Sequence, residues 1–162
     1  MEIRRRSHCR APVGGEMSER AAVSLETIRE FVRSQKYAVQ SSVSPIEAPQ
    51  SAVVGIAVSD AFEIIFDTVG NSRKAANLRT NPRIAFVIGG IEGDERTVQY
   101  EGIADEPTGY ELKRVREIYF LRFPDGRDRL TWPGITHFRT RPKWLRFSDY
   151  SQTPPLIVEF SF

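Results

Sequence analysis

The sequence predicts a mainly β (α+β) fold, an antiparallel barrel of six or seven short strands with two flanking helices. Three observations lead there. Runs of four to eight apolar and β-branched residues recur between Gly, Pro, Asn and Asp turn signals. Only two stretches carry a strong helical period. Strands and helices do not alternate regularly, which disfavours a parallel, doubly wound sheet, and closing the sheet into a barrel removes exposed edges.

The first helix is predicted from Ser24 to Gln35. Ser24 is a capping residue, Glu26 sits in the first turn, and Leu25, Ile28, Phe31 and Val32 fall on one face. Tyr37 to Ser44 reads as a strand, Pro45 to Gln50 as a turn, and Ser51 to Val58 as a second strand apolar on both faces. Phe62 to Thr68 is expected to pair with it as a hairpin. Gly70-Asn71-Ser72 then caps a short helix through Ala75, Ala76 and Leu78, which Asn81-Pro82 must end. Arg83 to Ile88 and Arg96 to Asp105 read as strands around a glycine-rich loop at 89–95, with Gly102 as a bulge. Thr108 with Glu111 has the spacing of a capping box, and Leu112, Val115, Ile118 and Tyr119 form the apolar face of a helix running to about Phe123. Pro124-Asp125-Gly126 stops it. Ile135 to Tyr150, interrupted near Pro142, and Leu156 to Phe162 supply the last strands.

With 162 residues, 40% hydrophobic and 27% charged, the chain has the size and composition of one globular domain. The reading divides it into an arm over 1–20, disordered or an over-extended start, and a folded domain over 21–162. The arm holds the whole net charge of +2, leaving 18 basic and 18 acidic residues in the rest. A balanced folded part gives no field for a polyanion, so no nucleic-acid partner is expected. No apolar run approaches a membrane span, and the single cysteine, Cys9, lies in the arm, which excludes an internal disulfide framework. The expected location is cytoplasmic.

Chemistry-bearing residues are few. His8 and His137 have no companions at metal-ligand spacing, so no metal site is predicted; a Gly-x-Ser-x-Gly elbow, a Walker A loop and a Gly-x-Gly-x-x-Gly turn are all absent. No side chain qualifies as a proton-transfer catalyst. What remains is Asp67 to Lys74, where a hydroxyl, a turn and two cations meet a helix start. Backbone N–H groups, the positive end of the helix dipole, the planar fork of Arg73 and the point charge of Lys74 would all converge on a phosphate there. By charge alone, a solvated basic turn is the favoured reading.

The spacing goes further. Thr68, then Ser72-Arg73-Lys74, then Leu78, then Asn81-Pro82-Arg83 resembles, without gaps, the flavin-phosphate signature of the pyridoxamine 5'-phosphate oxidase-like flavoproteins. Gln99, and the Arg141 to Arg146 stretch with Asp149-Tyr150, are similar to smaller members of the group. The resemblance implies a split β-barrel homodimer with one flavin mononucleotide (FMN) per subunit at the interface. Arg73 and Lys74 would hold the phosphate with Ser72 and Thr68, Asp67 and Thr68 would present strand-end backbone, and Gln99 would hydrogen-bond the flavin. The strand from Ala52 to Ala57, with Val54, Gly55, Ile56 and Ala57, would lie along the ring; Gly55 reads equally as a strand glycine at a bend. Trp144 is expected to pack in the core rather than stack on a ring. The implied function is an FMN-dependent oxidoreductase with a small-molecule substrate or reductant. The alternatives are a flavin carrier or sensor, or the same pocket holding a deazaflavin or heme. The resemblance does not extend to the cations that flank the Ala52–Ala57 strand in the oxidases proper, nor to their basic C-terminal motif, so vitamin B6 oxidation is not implied.

Overall fold

The structure, a computed structural model, describes residues 23–90 and 93–162. The arm over 1–20 and part of the 89–95 loop lie outside them.

Helix α1, Leu25–Ser34, begins where Ser24 accepts a hydrogen bond from the Thr27 N–H, and it buries Ile28, Phe31 and Val32. Strand β1, Tyr37–Val43, alternates exposed and buried positions and pairs with β2, Pro49–Gly55. The predicted Ser51–Val58 strand is two strands. The Ile56 N–H turns away from the ladder to Lys36 O, and the chain resumes as β3, Ala57–Val58. The expected hairpin shrinks accordingly, since β4, Ile64–Val69, meets β3 over two residue pairs and takes β7 as its main partner. Helix α2, Arg73–Thr80, and strands β5, Arg83–Gly89, and β6, Arg96–Asp105, follow as the turn signals require.

Helix α3, Gly109–Arg122, starts at Thr108, but no capping box forms. Thr108 makes no side-chain cap bond, and Glu111 instead pairs with Arg114 and Arg139, whose guanidinium groups offer it charge-assisted bonds. Two short 3-10 turns lead to β7, Ile135–Asp149, which runs unbroken through Pro142. The register shifts between Glu101 and Gly102, pairing Gly102 with Pro142 and Glu101 with Trp144, so Lys143 bulges out. Gly102 is obligatory there, because a Cβ would stand 2.4 Å from the Arg141 carbonyl oxygen. Strand β8, Leu156–Ser161, pairs with the second half of β7.

The strands form one curled antiparallel sheet in the order β2-β1-β5-β6-β7-β4-β3, with β8 beside β7. Its end strands, β2 and β3, are successive pieces of chain joined through Ile56, so the barrel closes covalently where it lacks a ladder. Eight strands, rather than the six or seven expected, with helices at the flanks make a mainly β split barrel, the expected fold class. Phe66, Phe86, Tyr100, Phe138 and Ile88 fill its interior, and the Tyr100 hydroxyl bonds to the Phe62 and Thr140 carbonyls. A second cluster, Ala57, Ile65, Val115, Tyr119, Phe120 and Phe123, seals α3 onto the outside.

Candidate functional site

The site is built where β4 hands over to α2. Thr68, buried near the end of β4, places its Oγ1 3.1 Å from Ser72 Oγ and 3.5 Å from Lys74 Nζ. Ser72 caps α2, accepting from the Ala75 N–H. The first turn holds no acid, so the dipole and the two cations present one uncompensated positive end. Among the described residues, Arg73 is the arginine without a hydrogen bond or ion pair, and it is exposed. The third cation of α2 is neutralised: Arg79 grips Glu106 through two bonds of 2.6 and 2.7 Å, and that contact holds the Glu106 carboxyl below the usual range.

Arg73 and Lys74 form one wall of a cavity of about 300 Å³; Gln40 and Ser42 of β1 and Gln50, Ser51 and Ala52 of β2 form the other. No carboxylate lines it. Three larger cavities, about 520, 480 and 380 Å³, include Glu101, Asp60 and Glu47 respectively, and the Asp60 carboxylate already bonds Arg33. Charge rather than size therefore makes the smaller cavity the candidate anion site. Its floor is organised by buried Asn77, which donates to Ser42 Oγ (3.1 Å) and Gln50 Oε1 (2.9 Å). Gln40, 1% exposed, leaves its Oε1 without a partner. The spacing read from the sequence is thus a strand, a turn, a helix and its stop: Leu78 anchors α2 in the core, and Asn81 accepts from the Arg83 N–H after Pro82.

The remaining predicted residues are distributed. Val54 and Ile56 point into the barrel core, and Ala57 packs under α3. Gly55 faces Phe123, where a Cβ would come within 2.8 Å of the ring, so close packing is what this position requires. The Asp67 carboxylate is committed elsewhere, accepting from the Tyr119 hydroxyl and from Arg129, each at 2.8 Å. Gln99 is exposed on the outer face of β6 beside Val87 and Arg146. Strands β5 and β1 lie between it and β2, and Gln99 is not among the residues that line the cavity of the cations. The core placement of Trp144 is corrected: it stands half-buried on the face of β7 opposite Leu145, because the Lys143 bulge resets the alternation.

His137 does not line this cavity; it is 1% exposed, edge-on to Tyr119 and Phe120 beside Arg116. Burial, helped by the Arg116 charge, pushes it down to about 4. Among the described residues no cluster of three His, Cys, Asp or Glu side chains is placed to hold a metal ion, and no helix is long and apolar enough to cross a membrane.

The sequence reasoning missed Gln40, Ser42, Gln50 and Asn77. A signal existed, since Gln40 and Ser42 follow Ala38 at the inward positions of β1 and break its apolar alternation.

Residues 24–130 match a family model described as pyridoxamine 5'-phosphate oxidase. No curated protein matches the chain. Among solved structures, a heme binding protein from Mycobacterium smegmatis superposes with a TM-score of 0.72 at 15% identity, covering 86% of this chain and 60% of its own. A heme storage protein from Vibrio cholerae gives 0.65 at 16%, covering 85% of this chain and 93% of its own. A pyridoxamine 5'-phosphate oxidase-related, FMN binding protein from Nostoc punctiforme gives 0.62 at 12%, covering 78% and 86%. This chain therefore spans only about three-fifths of the Mycobacterium smegmatis protein's length.

Proposed function

This chain belongs to the pyridoxamine 5'-phosphate oxidase family, and on that premise we propose that it is an FMN-dependent oxidoreductase. The observation that carries the reading is the unpaired Arg73 beside Lys74 at a capped helix start, facing a cavity without carboxylates. Arg73 and Lys74 hold the phosphate, with Ser72 and Thr68 supplying hydroxyls. The backbone from Val54 to Ala57 runs from this cavity toward α3 and carries the ring end, while Asp67 fixes the end of β4 through Arg129 and Tyr119. Bound FMN supplies the hydride and electron chemistry, and the protein supplies grip and orientation.

We further propose a homodimer. The outer face carries Tyr37, Val39, Val53 and Val87 in exposed, adjacent positions of β1, β2 and β5, with Val53 68% exposed. An apolar strip of this kind suits a self-complementary interface. Gln99 lies in the same cross-strand row, next to Val87. A second copy laid on this face supplies Gln99 to the flavin that the first copy holds by its phosphate.

The heme-binding neighbours point to a second ligand class. Against it, the only histidine among the described residues is His137, buried beneath α3 and not among the residues that line the cationic cavity. Flavin titration followed by fluorescence quenching, with sedimentation of the product, tests the proposal: one FMN per chain in a dimer supports it, and absence of FMN binding overturns it. Bleaching of the bound flavin by a reduced nicotinamide supports an oxidoreductase; a flavin that no nicotinamide reduces and that passes electrons to no acceptor makes the protein a carrier or sensor.

A further inference from the structure

A separate cavity of about 480 Å³ opens between α1, β3 and the end of α3, with walls from Ile56, Ala57, Val58, Ile118 and Leu121. Ile56 and Ala57 belong to the backbone run assigned above to the ring end of the flavin. Size and apolar walls suit a small organic molecule. Leu121 lies 85% exposed on the rim, an aliphatic side chain that nothing in the chain covers.

The charged groups of this cavity are not balanced. Asp60 is committed, since its carboxylate accepts from Arg33 at 2.6 Å, and the two form a neutral pair. Arg122 donates to the Ser34 carbonyl at 3.1 Å and has no ion pair among the described residues. One positive charge is therefore left uncompensated.

The backbone adds a donor. The Ser59 N–H bonds to the Glu63 carbonyl, so alternation along the antiparallel pair turns the N–H and C=O of Val58 to the opposite edge. Strand β3 is an end strand, and no ladder meets that edge. There the Val58 carbonyl accepts from Arg33 Nε at 3.3 Å, while the N–H of this residue, 8% exposed, has no partner among the described residues. Buried N–H groups are normally met by a ligand or an ordered water.

A guanidinium without a carboxylate and a free N–H both call for an acceptor, and a single uncompensated charge matches a single negative one. The apolar walls call for an apolar body. We propose that this cavity is the substrate pocket and that it takes a small apolar monocarboxylate, its carboxylate on Arg122 and the Val58 N–H and its body against Ile118 and Leu121. The substrate role rests on the flavin reading, which puts the ring beside Ile56 and Ala57; the carboxylate site rests on the cavity alone.

The test is isothermal titration of the full chain, ligand-free and FMN-loaded, with hydrocinnamate, its uncharged amide and phenylpropylamine. Wild type, Arg122→Gln and Leu121→Ser are compared; both side chains are exposed, so the core is untouched. The acid should bind wild type about tenfold more tightly than the amide, the difference one charge-assisted hydrogen bond makes, and the amine should not bind. Arg122→Gln should bring acid and amide together, whereas Leu121→Ser should weaken both by about threefold and keep their ratio. Acid added to FMN-loaded wild type should shift the flavin absorption bands. Equal affinity for acid and amide overturns the proposal, as does a ratio that survives Arg122→Gln, or binding of none of the three. Acid that binds through Arg122 without disturbing the flavin bands overturns the substrate role. A chain that binds no FMN overturns the flavin reading instead, and the acid-to-amide ratio of the ligand-free chain still decides the carboxylate site.

Discussion

Replacing Arg73 and Lys74 by alanine separates ligand binding from folding more cleanly than any other change in the molecule. Arg73 has no hydrogen bond or ion pair among the described residues, and Lys74 makes one long contact, 3.5 Å, to Thr68. The native fold therefore loses almost nothing, and the melting temperature of the ligand-free protein should stay within about 2 °C, as for surface changes of less than ~0.5 kcal/mol. The ligand loses much more. A charge-assisted hydrogen bond contributes about 1.5–3 kcal/mol, and Arg73 is exposed enough to fall at the lower end, with half-buried Lys74 above it. The pair should then contribute roughly 3–5 kcal/mol, a loss of FMN affinity of about 150- to 5,000-fold. Riboflavin, which carries no phosphate, should bind wild type and double variant alike. Isothermal titration with both flavins reads the two quantities directly. An FMN affinity that survives the double substitution, or a riboflavin affinity that falls in parallel, would refute the phosphate grip.

Three further outcomes follow from the same geometry. Arg79 donates to the Gly70 carbonyl as well as to Glu106, which also accepts from Thr136, so it braces the turn that presents Ser72 to Lys74. Arg79→Met should weaken FMN about tenfold with riboflavin unchanged, since misplacing the grip affects only the phosphate; unchanged FMN binding contradicts the brace. His137 should limit stability in acid. Its folded value of about 4 lies below the ordinary 6.5, so the unfolded chain binds the proton first; the full stability holds above pH 6.5 and is lost as pH falls toward 4, by up to about 3 kcal/mol. Chemical denaturation across that window should show the loss in wild type and a flatter limb in His137→Phe; superimposable limbs would exclude His137 as the cause. Gly102→Ala places a Cβ 2.4 Å from a backbone oxygen and 2.5 Å from Thr140 Cγ2, so it should cost about 3 kcal/mol and lower the melting temperature by roughly 6–12 °C; a melting curve matching wild type would show that the bulge yields more easily than its packing suggests.

What the sequence discloses and what it conceals divides by the range of the interactions involved. The phosphate loop is legible because it is local. Thr68, Ser72, Lys74 and Asn81 sit within one strand, turn and helix, and their contacts are four to six residues apart or span a single helix. The bulge at Gly102 is legible for the same reason, since a glycine in the interior of a strand needs a special place. The failures are tertiary. Nothing near Ile56 announces that its N–H goes to Lys36 and divides the strand, and nothing near Thr108 announces that Arg139 and Arg114 take Glu111 from the cap. Trp144 changes face because Lys143 bulges out opposite the step between Glu101 and Gly102. Gln40 becomes part of the site only when β1 curls next to α2, which no spacing within β1 encodes, although its polarity at an inward position marks it as unusual. Gln99 is legible as a residue type and not as a location, because a single chain leaves it on the far part of the outer face.

The most direct measurement is the absorption spectrum of the purified full chain titrated separately with FMN and with hemin. Flavin bands that saturate at one FMN per chain, tighter than riboflavin, with no Soret shift on adding hemin, are the result a phosphate-gripping flavoprotein gives. A saturable Soret band with indifference to FMN would contradict the account, because the cationic cavity would then not be a flavin-phosphate site.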